Sequence, residues 1–195
     1  MENKIIIIGS GGHAISCIEV IESLNKYFIH KIYDTKTNKK KLFDYEIIKN
    51  ESALSILRNE ADCVCIGIGF IKDNTIRKKI IEMTSKLNFK FPNIYSSTAY
   101  ISKNSENGIG NTYHHNIFIN SDTKIGNFNI INSNSILEHG VQIGDNCHIS
   151  TKVVLNGDVI IGNDTFIGSG TVIKNGVKIG NKKIIPMGSI IKNDV

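Results

Sequence analysis

Two histidines in the second half of the sequence have side chains suited to acid–base chemistry. His139 and His148 carry imidazoles, which exchange a proton near neutral pH and can deprotonate an attacking hydroxyl or amine. His139 is preceded by Glu138, the nearest acid, and followed by Gly140. Adjacent side chains on an extended strand point apart, so the sequence leaves open whether Glu138 orients His139. These residues suit general-base chemistry at His139, with Glu138 as its candidate partner, and a solvated surface histidine is the alternative on the residues alone.

A glycine-rich segment near the N-terminus is suited to binding an anion. Gly9, Gly11 and Ala14 match the pattern G-x-G-x-x-A between an apolar run and a helical pattern, and Asp34 lies twenty residues beyond Ala14. Backbone N–H groups at a helix N-terminus bind phosphate or carboxylate groups. The α/β part of the chain is only about half the size of a complete dinucleotide-binding fold. An anionic sugar or nucleotide-sugar is therefore favoured over a dinucleotide, and a purely structural loop is the alternative.

The histidines lie within a six-residue repeat. Every sixth residue from Ile119 to Ile191, thirteen in all, is Ile or Leu. This period fits neither a helix nor an alternating strand, and it indicates a coil of short strands with three hexapeptides per turn. Gly or Asn often follows the aliphatic residue, and we expect these residues at the corners because they tolerate positive φ.

The repeat predicts the surroundings of both histidines. One turn is eighteen residues, which places Ser121 and Gly157 on either side of His139 and leaves an open slot beside its imidazole. His148 also faces outward, but it lies nine residues from His139, so the two cannot stack on one face of one subunit. If both serve one site, a cleft between the subunits of a symmetric oligomer is the natural place.

The first half of the sequence reads as alternating strands and helices. Strands are predicted at residues 4–8, 28–33 and 63–68, with helices at 13–25 and 74–87. A weaker strand at 45–48 and a short helix at 51–58 lie between them. Pro92 marks the domain boundary. We predict a small Rossmann-like α/β domain with a parallel sheet over residues 1–92, followed by a parallel β-helix of hexapeptide repeats over residues 93–195.

Composition narrows the partners and the compartment. The net charge of +5 over 195 residues suits anionic small molecules and is too weak to indicate nucleic-acid binding. The four cysteines lack zinc-ligand spacing, so we expect no metal and read them as buried free thiols of a reducing compartment. The first apolar run is too short for a signal peptide or a membrane span. We therefore expect a cytoplasmic protein that binds neither membrane nor nucleic acid.

Two stretches carry a family resemblance. The segment from Ile131 through Glu138-His139-Gly140 to Asp158 resembles the sialic acid O-acetyltransferase (NeuD) family, which includes the PglD-type sugar N-acetyltransferases. The N-terminal Gly-Ser-Gly-Gly-His and the Ile-Gly-Ile-Gly that ends at Gly69 resemble the sugar-binding domain of the same family. The resemblance covers nearly the whole chain and implies that the coil is a left-handed β-helix, as in other hexapeptide-repeat acyltransferases.

The resemblance also implies partners and site residues. It implies a homotrimer in which acetyl-CoA, the co-substrate, lies along the β-helix between subunits, and it implies that His139 is the catalytic base. The acceptor, a sugar or nucleotide-sugar, is expected at the glycine-rich loop and its neighbours: Gly11, Gly12, His13, Asp34 and Gly69. The residues expected near acetyl-CoA are His148, Gly157, Ser169 and Gly188.

Three functions are compatible with these motifs. PglD-type enzymes follow the catalytic histidine with an acidic residue, where this sequence has Gly140. On that ground we favour O-acetylation of sialic acid or a related nonulosonic acid, in surface-glycan biosynthesis, by direct attack on acetyl-CoA. The alternative is N-acetylation of a UDP-linked 4-amino-6-deoxy sugar. A second alternative is a non-catalytic partner of sialic acid biosynthetic enzymes.

Overall fold

The computed structural model describes residues 3–50 and 52–195. Contacts between residues divide the chain into two units, Met1–Gly69 with Asp73–Ile94 and Phe70–Lys72 with Tyr95–Val195. Within the described ranges, no helix has the length and apolar character needed to cross a membrane.

The N-terminal unit is built on a five-stranded sheet in the order β3-β4-β2-β1-β5. Its elements are β1 (Lys4–Ile8), α1 (Gly12–Leu24), β2 (Phe28–Tyr33), β3 (Lys41–Leu42), β4 (Tyr45–Ile48), α2 (Ala53–Glu60), β5 (Cys63–Ile66) and α3 (Thr75–Lys86). All strand pairs are parallel except that of β3 with β4. The predicted α/β class is confirmed, although β3 was missed because two residues are too few for a pattern. The predicted start of α2 at Glu51 lies outside the described residues.

A continuous apolar strand lies at the centre of this sheet. Residues 5–8 of β1 are at most 2% exposed, because β1 has a strand on each side and packing on both faces. The start of α1 packs closely against the segment that follows β5. A Cβ atom at Gly67 would lie 2.9 Å from the Cβ of Ala14. This approach fixes where the glycine-rich loop enters the helix.

The C-terminal unit is a β-helix. Seventeen strands of two residues are seen in the described chain from Ile94 onward: β6 (Ile94–Tyr95), β7 (Tyr100–Ile101), β8 (Glu106–Asn107), β9 (Thr112–Tyr113), β10 (Phe118–Ile119), β11 (Lys124–Ile125), β12 (Ile130–Ile131), β13 (Ile136–Leu137), β14 (Gln142–Ile143), β15 (His148–Ile149), β16 (Val154–Leu155), β17 (Ile160–Ile161), β18 (Phe166–Ile167), β19 (Val172–Ile173), β20 (Lys178–Ile179), β21 (Ile184–Ile185) and β22 (Ile190–Ile191).

These strands form three parallel sheets, one for each wall of the coil. The first sheet contains β7, β10, β13, β16, β19 and β22; the second contains β8, β11, β14, β17 and β20; the third contains β6, β9, β12, β15, β18 and β21. Each residue pairs with the residue eighteen positions along, as Leu137 does with Ile119 and Leu155. The repeating aliphatic residues stack into one buried core. The left-handed parallel β-helix that the resemblance implied is therefore correct.

The prediction for the corner residues was wrong in part. Positive φ falls on the third residue after each repeating aliphatic residue from Ile119 to Ile185, as at Gly140 (φ +70°), and not on the residue directly after it. Glycines that directly follow the aliphatic residue instead leave room for side chains of the next turn to lie against the backbone. A Cβ atom at Gly126 would lie 2.3 Å from Oδ1 of Asp145, which accepts a hydrogen bond from the backbone N–H of Asn127 at 2.7 Å.

Candidate active site

His139 lies on the corner between the first and second sheets, directly over Gly157. Leu137 of β13 points into the core, and the chain then turns outward through residues 138–141 into β14. The His139 ring is exposed and rests on Gly157, where a Cβ atom would lie 2.5 Å from Cε1 and 2.7 Å from Nε2. The next turn places Asn175 below, with Nδ2 3.1 Å from the same Cβ position. Only glycine at residue 157 leaves the imidazole in this position.

Glu138 turns away from this slot. One carboxylate oxygen accepts a hydrogen bond at 2.9 Å from Nδ2 of Asn120, which lies one turn earlier. Among the described residues, the Glu138 side chain makes no hydrogen bond to His139. The two side chains diverge as expected for neighbours on an extended strand.

A different carboxylate lies beside the residue that follows His139. The Cβ position of Gly140 is 2.2 Å from Oδ1 of Asp158, so the Asp158 carboxylate occupies the space that a side chain at 140 would fill. The backbone N–H of Asp158 also donates to the carbonyl of His139 at 3.0 Å. Sequence analysis gave Asp158 no role, although the eighteen-residue turn pairs it with Gly140.

His148 is held by partners on both ring nitrogens. Nδ1 lies 2.6 Å from the carbonyl oxygen of Phe70, and because a carbonyl only accepts, Nδ1–H is the donor. Nε2 lies 2.9 Å from the side-chain amide of Asn132. The rings of Phe70 and Phe166 meet the imidazole edge-on at 5.8 and 5.1 Å. The ring is thereby fixed on the outside of the third sheet.

Ser169 and Gly188 lie together on the corner between the third and first sheets. The backbone N–H of Gly188 donates to the Ser169 carbonyl at 2.8 Å, and the Ser169 hydroxyl lies 2.8 Å from that of Ser150. A Cβ atom at Gly188 would meet nothing within 4 Å, so the corner has open space beside it. Small residues therefore line this corner.

The outer face of the first sheet is apolar along its whole length. Its outward residues are Tyr100, Phe118, Ile136, Val154, Val172 and Ile190, which we call the apolar face. The outward residues of the second sheet are mostly polar: Glu106, Lys124, Gln142, Ile160 and Lys178. Tyr100 and Ile190, at the two ends of the apolar face, are 57% and 71% exposed in the single chain. His139 and Gly157 border this face on one side, and Ser169 and Gly188 border it on the other.

In the N-terminal unit, Asp34 holds the glycine-rich loop in place. Oδ2 of Asp34 accepts from the backbone N–H and the hydroxyl of Ser10 at 2.9 and 2.6 Å, and Oδ1 accepts from the backbone N–H of Lys36 at 2.9 Å. Gly9 has φ +104°, which favours glycine. Asp34 therefore shapes the loop through contacts that the sequence did not reveal.

The start of α1 is open and free of acidic residues. The cap residue is Gly11, so no side chain caps the helix, and the first turn contains no acid. A Cβ atom at Gly11 or Gly12 would meet nothing within 4 Å. His13 lies beside Gly69, whose Cβ position is 3.4 Å from the His13 Cβ. The five residues expected to bind the acceptor therefore gather around one loop. A helix N-terminus with open space beside it suits an anionic group.

The segment that carries Gly69 is fixed by a buried arginine, which sequence analysis did not single out. Arg77 of α3 is 1% exposed, and its guanidinium donates to the carbonyls of Ile66 and Ile68 at 3.2 and 2.5 Å. Burial lowers the pKa of Arg77 to about 10, so it stays charged at neutral pH. Its hydrogen bonds hold the chain on both sides of Gly67.

The β-helix thiol is not placed to act as a nucleophile. Cys147 is fully buried in the core, and its Sγ donates to the Gly162 carbonyl at 3.0 Å. Burial raises the pKa of Cys147 to about 12, which keeps it protonated at neutral pH. Acyl transfer through a cysteinyl intermediate at this position is therefore disfavoured.

Family models match most of the chain. The PglD N-terminal domain matches residues 4–84, the bacterial transferase hexapeptide (six repeats) matches residues 122–157, and the hexapeptide repeat of succinyl-transferase matches residues 158–193. No curated protein matches the sequence.

Solved structures with the same architecture span the whole chain. The acetyltransferase domain of PglB from Neisseria gonorrhoeae, in complex with acetyl coenzyme A, has a TM-score of 0.92 at 22% identity and covers 100% of this chain and 93% of its own. PerB from Caulobacter crescentus, in complex with CoA and GDP-perosamine, has a TM-score of 0.90 at 27% identity, with 98% and 90% covered. A variant of perosamine N-acetyltransferase from the same organism, with the same ligands, has a TM-score of 0.92 at 26% identity and the same coverage.

Proposed function

We propose that this chain, a PglD-type hexapeptide acyltransferase by its domain content, transfers an acetyl group from acetyl-CoA to a sugar with His139 as the base. The observation that carries the proposal is the exposed imidazole lying over Gly157, which has no side chain of its own to displace the ring. An exposed imidazole that is held in one place can be reached by an incoming hydroxyl or amine, as a general base requires. The similarity to PerB, which was solved with CoA and GDP-perosamine, supports the same reaction class.

We propose a homotrimer in which the apolar face is covered by a second copy of the chain. Six stacked apolar residues on one wall, against mostly polar residues on the next, are typical of a surface that another subunit buries. The two groups of expected acetyl-CoA contacts border this face on opposite sides. When this face packs against a neighbouring subunit, the border with His139 and Gly157 of one subunit comes close to the border with Ser169 and Gly188 of the other. This arrangement explains how His139 and Ser169 serve one reaction from different subunits.

In the proposed reaction, the acceptor nitrogen or oxygen attacks the acetyl carbonyl carbon as His139 removes the acceptor proton. The carbon–sulfur bond then breaks, and the proton on His139 passes to the departing CoA thiolate. Backbone N–H groups near Gly157 are candidates to stabilise the oxyanion. Holding both substrates together supplies much of the acceleration. Because Cys147 is buried and protonated, the transfer is direct.

The residues assigned to acetyl-CoA fit such a ligand. Gly188 and Gly170 leave open space along the corner between the third and first sheets, so an extended chain can lie against the backbone there. Both nitrogens of His148 are already bonded, and the Asn132 amide on Nε2 is the partner that a ligand can replace. In this assignment His148 shapes the wall beside the thioester.

For the acceptor, we propose a nucleotide-linked amino sugar. Its anionic part binds at the glycine-rich loop and the N-terminus of α1, near residues 11–13. Two observations favour it over sialic acid: residues 4–84 match the PglD N-terminal domain, and perosamine N-acetyltransferase was solved with a nucleotide-linked sugar. The absence of an acid at Gly140 favoured O-acetylation, but the Asp158 carboxylate occupies that space, so the argument loses its force. The free cysteines suit a cytoplasmic location, which we also propose.

The test measures thiol release from acetyl-CoA with two kinds of acceptor, GDP- or UDP-linked 4-amino-6-deoxy sugars and sialic acid. We expect turnover with an amino sugar and a fall in kcat of about 10² or more in His139→Ala. His30→Gln, a matched histidine change in the N-terminal unit, is expected to leave the rate unchanged.

Each outcome decides between the functions. Turnover with sialic acid alone would restore O-acetylation. An unchanged rate in His139→Ala would remove the base from residue 139. The absence of turnover with every acceptor, together with co-purification with a sialic acid synthase, would favour the non-catalytic partner.

A further inference from the structure

We infer that Asp158 is the positioning carboxylate of the active-site histidine, supplied from the next turn of the β-helix. This inference rests on the proposed function of His139. It assigns the acidic partner to a residue eighteen positions beyond Gly140 and not to Glu138. Two dipeptides in adjacent turns, His139-Gly140 and Gly157-Asp158, stack on each other.

Each functional side chain of this pair lies over the glycine of the other dipeptide. The His139 ring descends over Gly157, with Cε1 2.5 Å and Nε2 2.7 Å from its Cβ position. The Asp158 carboxylate rises over Gly140, with Oδ1 2.2 Å from its Cβ position. The backbone N–H of Asp158 bonds the carbonyl of His139 at 3.0 Å, which fixes the register of the two segments. Both glycines are needed, because either Cβ atom would collide with the side chain that crosses it.

The other nearby acids are less suitable. Glu138 is bound to Asn120. Asp122 precedes Gly140 by one turn at the same corner position, but the three atoms nearest to the Gly140 Cβ position all belong to Asp158. Within residues 3–50 and 52–195, the Asp158 carboxylate makes no hydrogen bond or ion pair, so its charge is available.

The carboxylate acts on the imidazole through its charge, since no hydrogen bond joins the two side chains in the described structure. When His139 takes the proton of the acceptor, the ring becomes positive. The negative charge of Asp158, which lies over the residue next to His139, stabilises that imidazolium, and the effect grows when a partner subunit and the substrates exclude water. The proton stays on His139 until it passes to the CoA thiolate.

The structure permits a relocation experiment. Asp122 and Asp158 both adopt positive φ, 60° and 61°, at the corner position that Gly140 shares, so aspartate is compatible with the backbone at residue 140. Glycine occupies the same kind of corner at Gly170 and Gly176, so glycine is compatible at residue 158. The variant Gly140→Asp/Asp158→Gly therefore moves the carboxylate back by one turn without the clash that Gly140→Asp alone would create.

We would measure kcat and KM for acetyl transfer in Asp158→Asn, Asp158→Gly and the relocation variant. We expect kcat to fall about tenfold in both single variants, with KM changed less than about twofold, and the relocation variant to recover most of the loss. An Asp158→Asn variant with wild-type kcat would overturn the assignment. Equal losses in Asp158→Gly and the relocation variant would also overturn it, because a purely structural effect is not rescued by moving the charge.

A second readout is independent of the acceptor. Diethylpyrocarbonate adds an ethoxycarbonyl group to a ring nitrogen, which develops positive charge as it attacks, and mass spectrometry of peptides locates the product on His139. The reaction is run at about pH 8, above the ordinary histidine pKa, because only the neutral ring reacts. There we expect the rate to drop about threefold in Asp158→Asn and to recover in the relocation variant. If the wild-type chain turned over no acceptor, the proposed function would fail while this rate still decided the role of Asp158. An unchanged modification rate would refute it.

Discussion

Replacing Gly157 by alanine would push His139 out of its position. The added methyl carbon would lie 2.5 Å from Cε1 and 2.7 Å from Nε2 of the imidazole, and 3.1 Å from Nδ2 of Asn175. Non-bonded carbon atoms prefer a separation of about 3.5–4.0 Å. The ring must therefore move by about 1 Å or more, and because it is exposed, it moves away from Gly157 into solvent.

The size of the effect follows from this displacement. A misplacement of about 1 Å can cost on the order of 10² in rate, because the base and the acceptor are no longer aligned. We expect kcat to fall by about 10² in Gly157→Ala, equivalent to about 2.7 kcal/mol in the barrier. Folding should be little affected, since the displaced group is on the surface. The melting temperature should therefore stay near that of the wild type.

The assay is thiol release from acetyl-CoA at saturating acceptor, together with thermal melting. Gly180→Ala is a matched control in the same β-helix, because its Cβ would meet only the flexible Lys183 side chain at 3.3 Å and the Val195 carbonyl at 3.4 Å. We expect that control to keep its rate. A Gly157→Ala enzyme with wild-type kcat would refute the reasoning, since the base would then work from a position that alanine does not disturb.

Two further predictions concern assembly and pH. Val154→Asp puts a charge in the middle of the apolar face, and we expect it to convert the proposed trimer to folded monomers with little acetyl transfer. Light scattering measures the assembly and circular dichroism the folding, with Gln142→Asp on the second sheet as the control. A Val154→Asp variant that still formed trimers would contradict the proposed interface. Burial lowers the pKa of His114 to about 4, with smaller contributions from His115 and His148, whereas an unfolded histidine has a pKa of about 6.5. As pH falls from 6.5 to 4, His114 binds a proton in the unfolded chain but not in the folded one, so the free energy of unfolding falls by up to about 3 kcal/mol over that window. Urea unfolding of the wild type should show this loss. If the free energy of unfolding of His114→Gln fell with the same pH slope, the prediction would be wrong.

The sequence predicted most of the fold because two regular patterns dominate it. The six-residue spacing of Ile and Leu located the strands of the β-helix, and the apolar run at residues 4–8 located the central strand of the N-terminal sheet. The eighteen-residue turn also predicted that Gly157 would lie next to His139, although the ring rests on Gly157 and fills the slot that was expected to be open. These features depend on periodicity, which the sequence displays directly.

Contacts that depend on side-chain direction or on distant segments were not predictable in this way. The Asp158 carboxylate lies over Gly140 because its corner has positive φ, and no local pattern states which way that side chain leans. Phe70 and His148 are 78 positions apart in the chain, yet they share a hydrogen bond. The buried Arg77 lies on a helix of mostly polar residues, and no local pattern marks its side chain as buried.

The uniform pitch of the coil limits which length changes the protein can tolerate. Residues eighteen positions apart pair throughout the C-terminal unit. Removing six residues would rotate everything downstream by one wall, so that Ser169 and Gly188 would leave their border of the apolar face. Removing eighteen residues would shorten the β-helix by one full turn and return each later residue to its original wall. Natural proteins whose β-helices differ in length should therefore differ by whole turns.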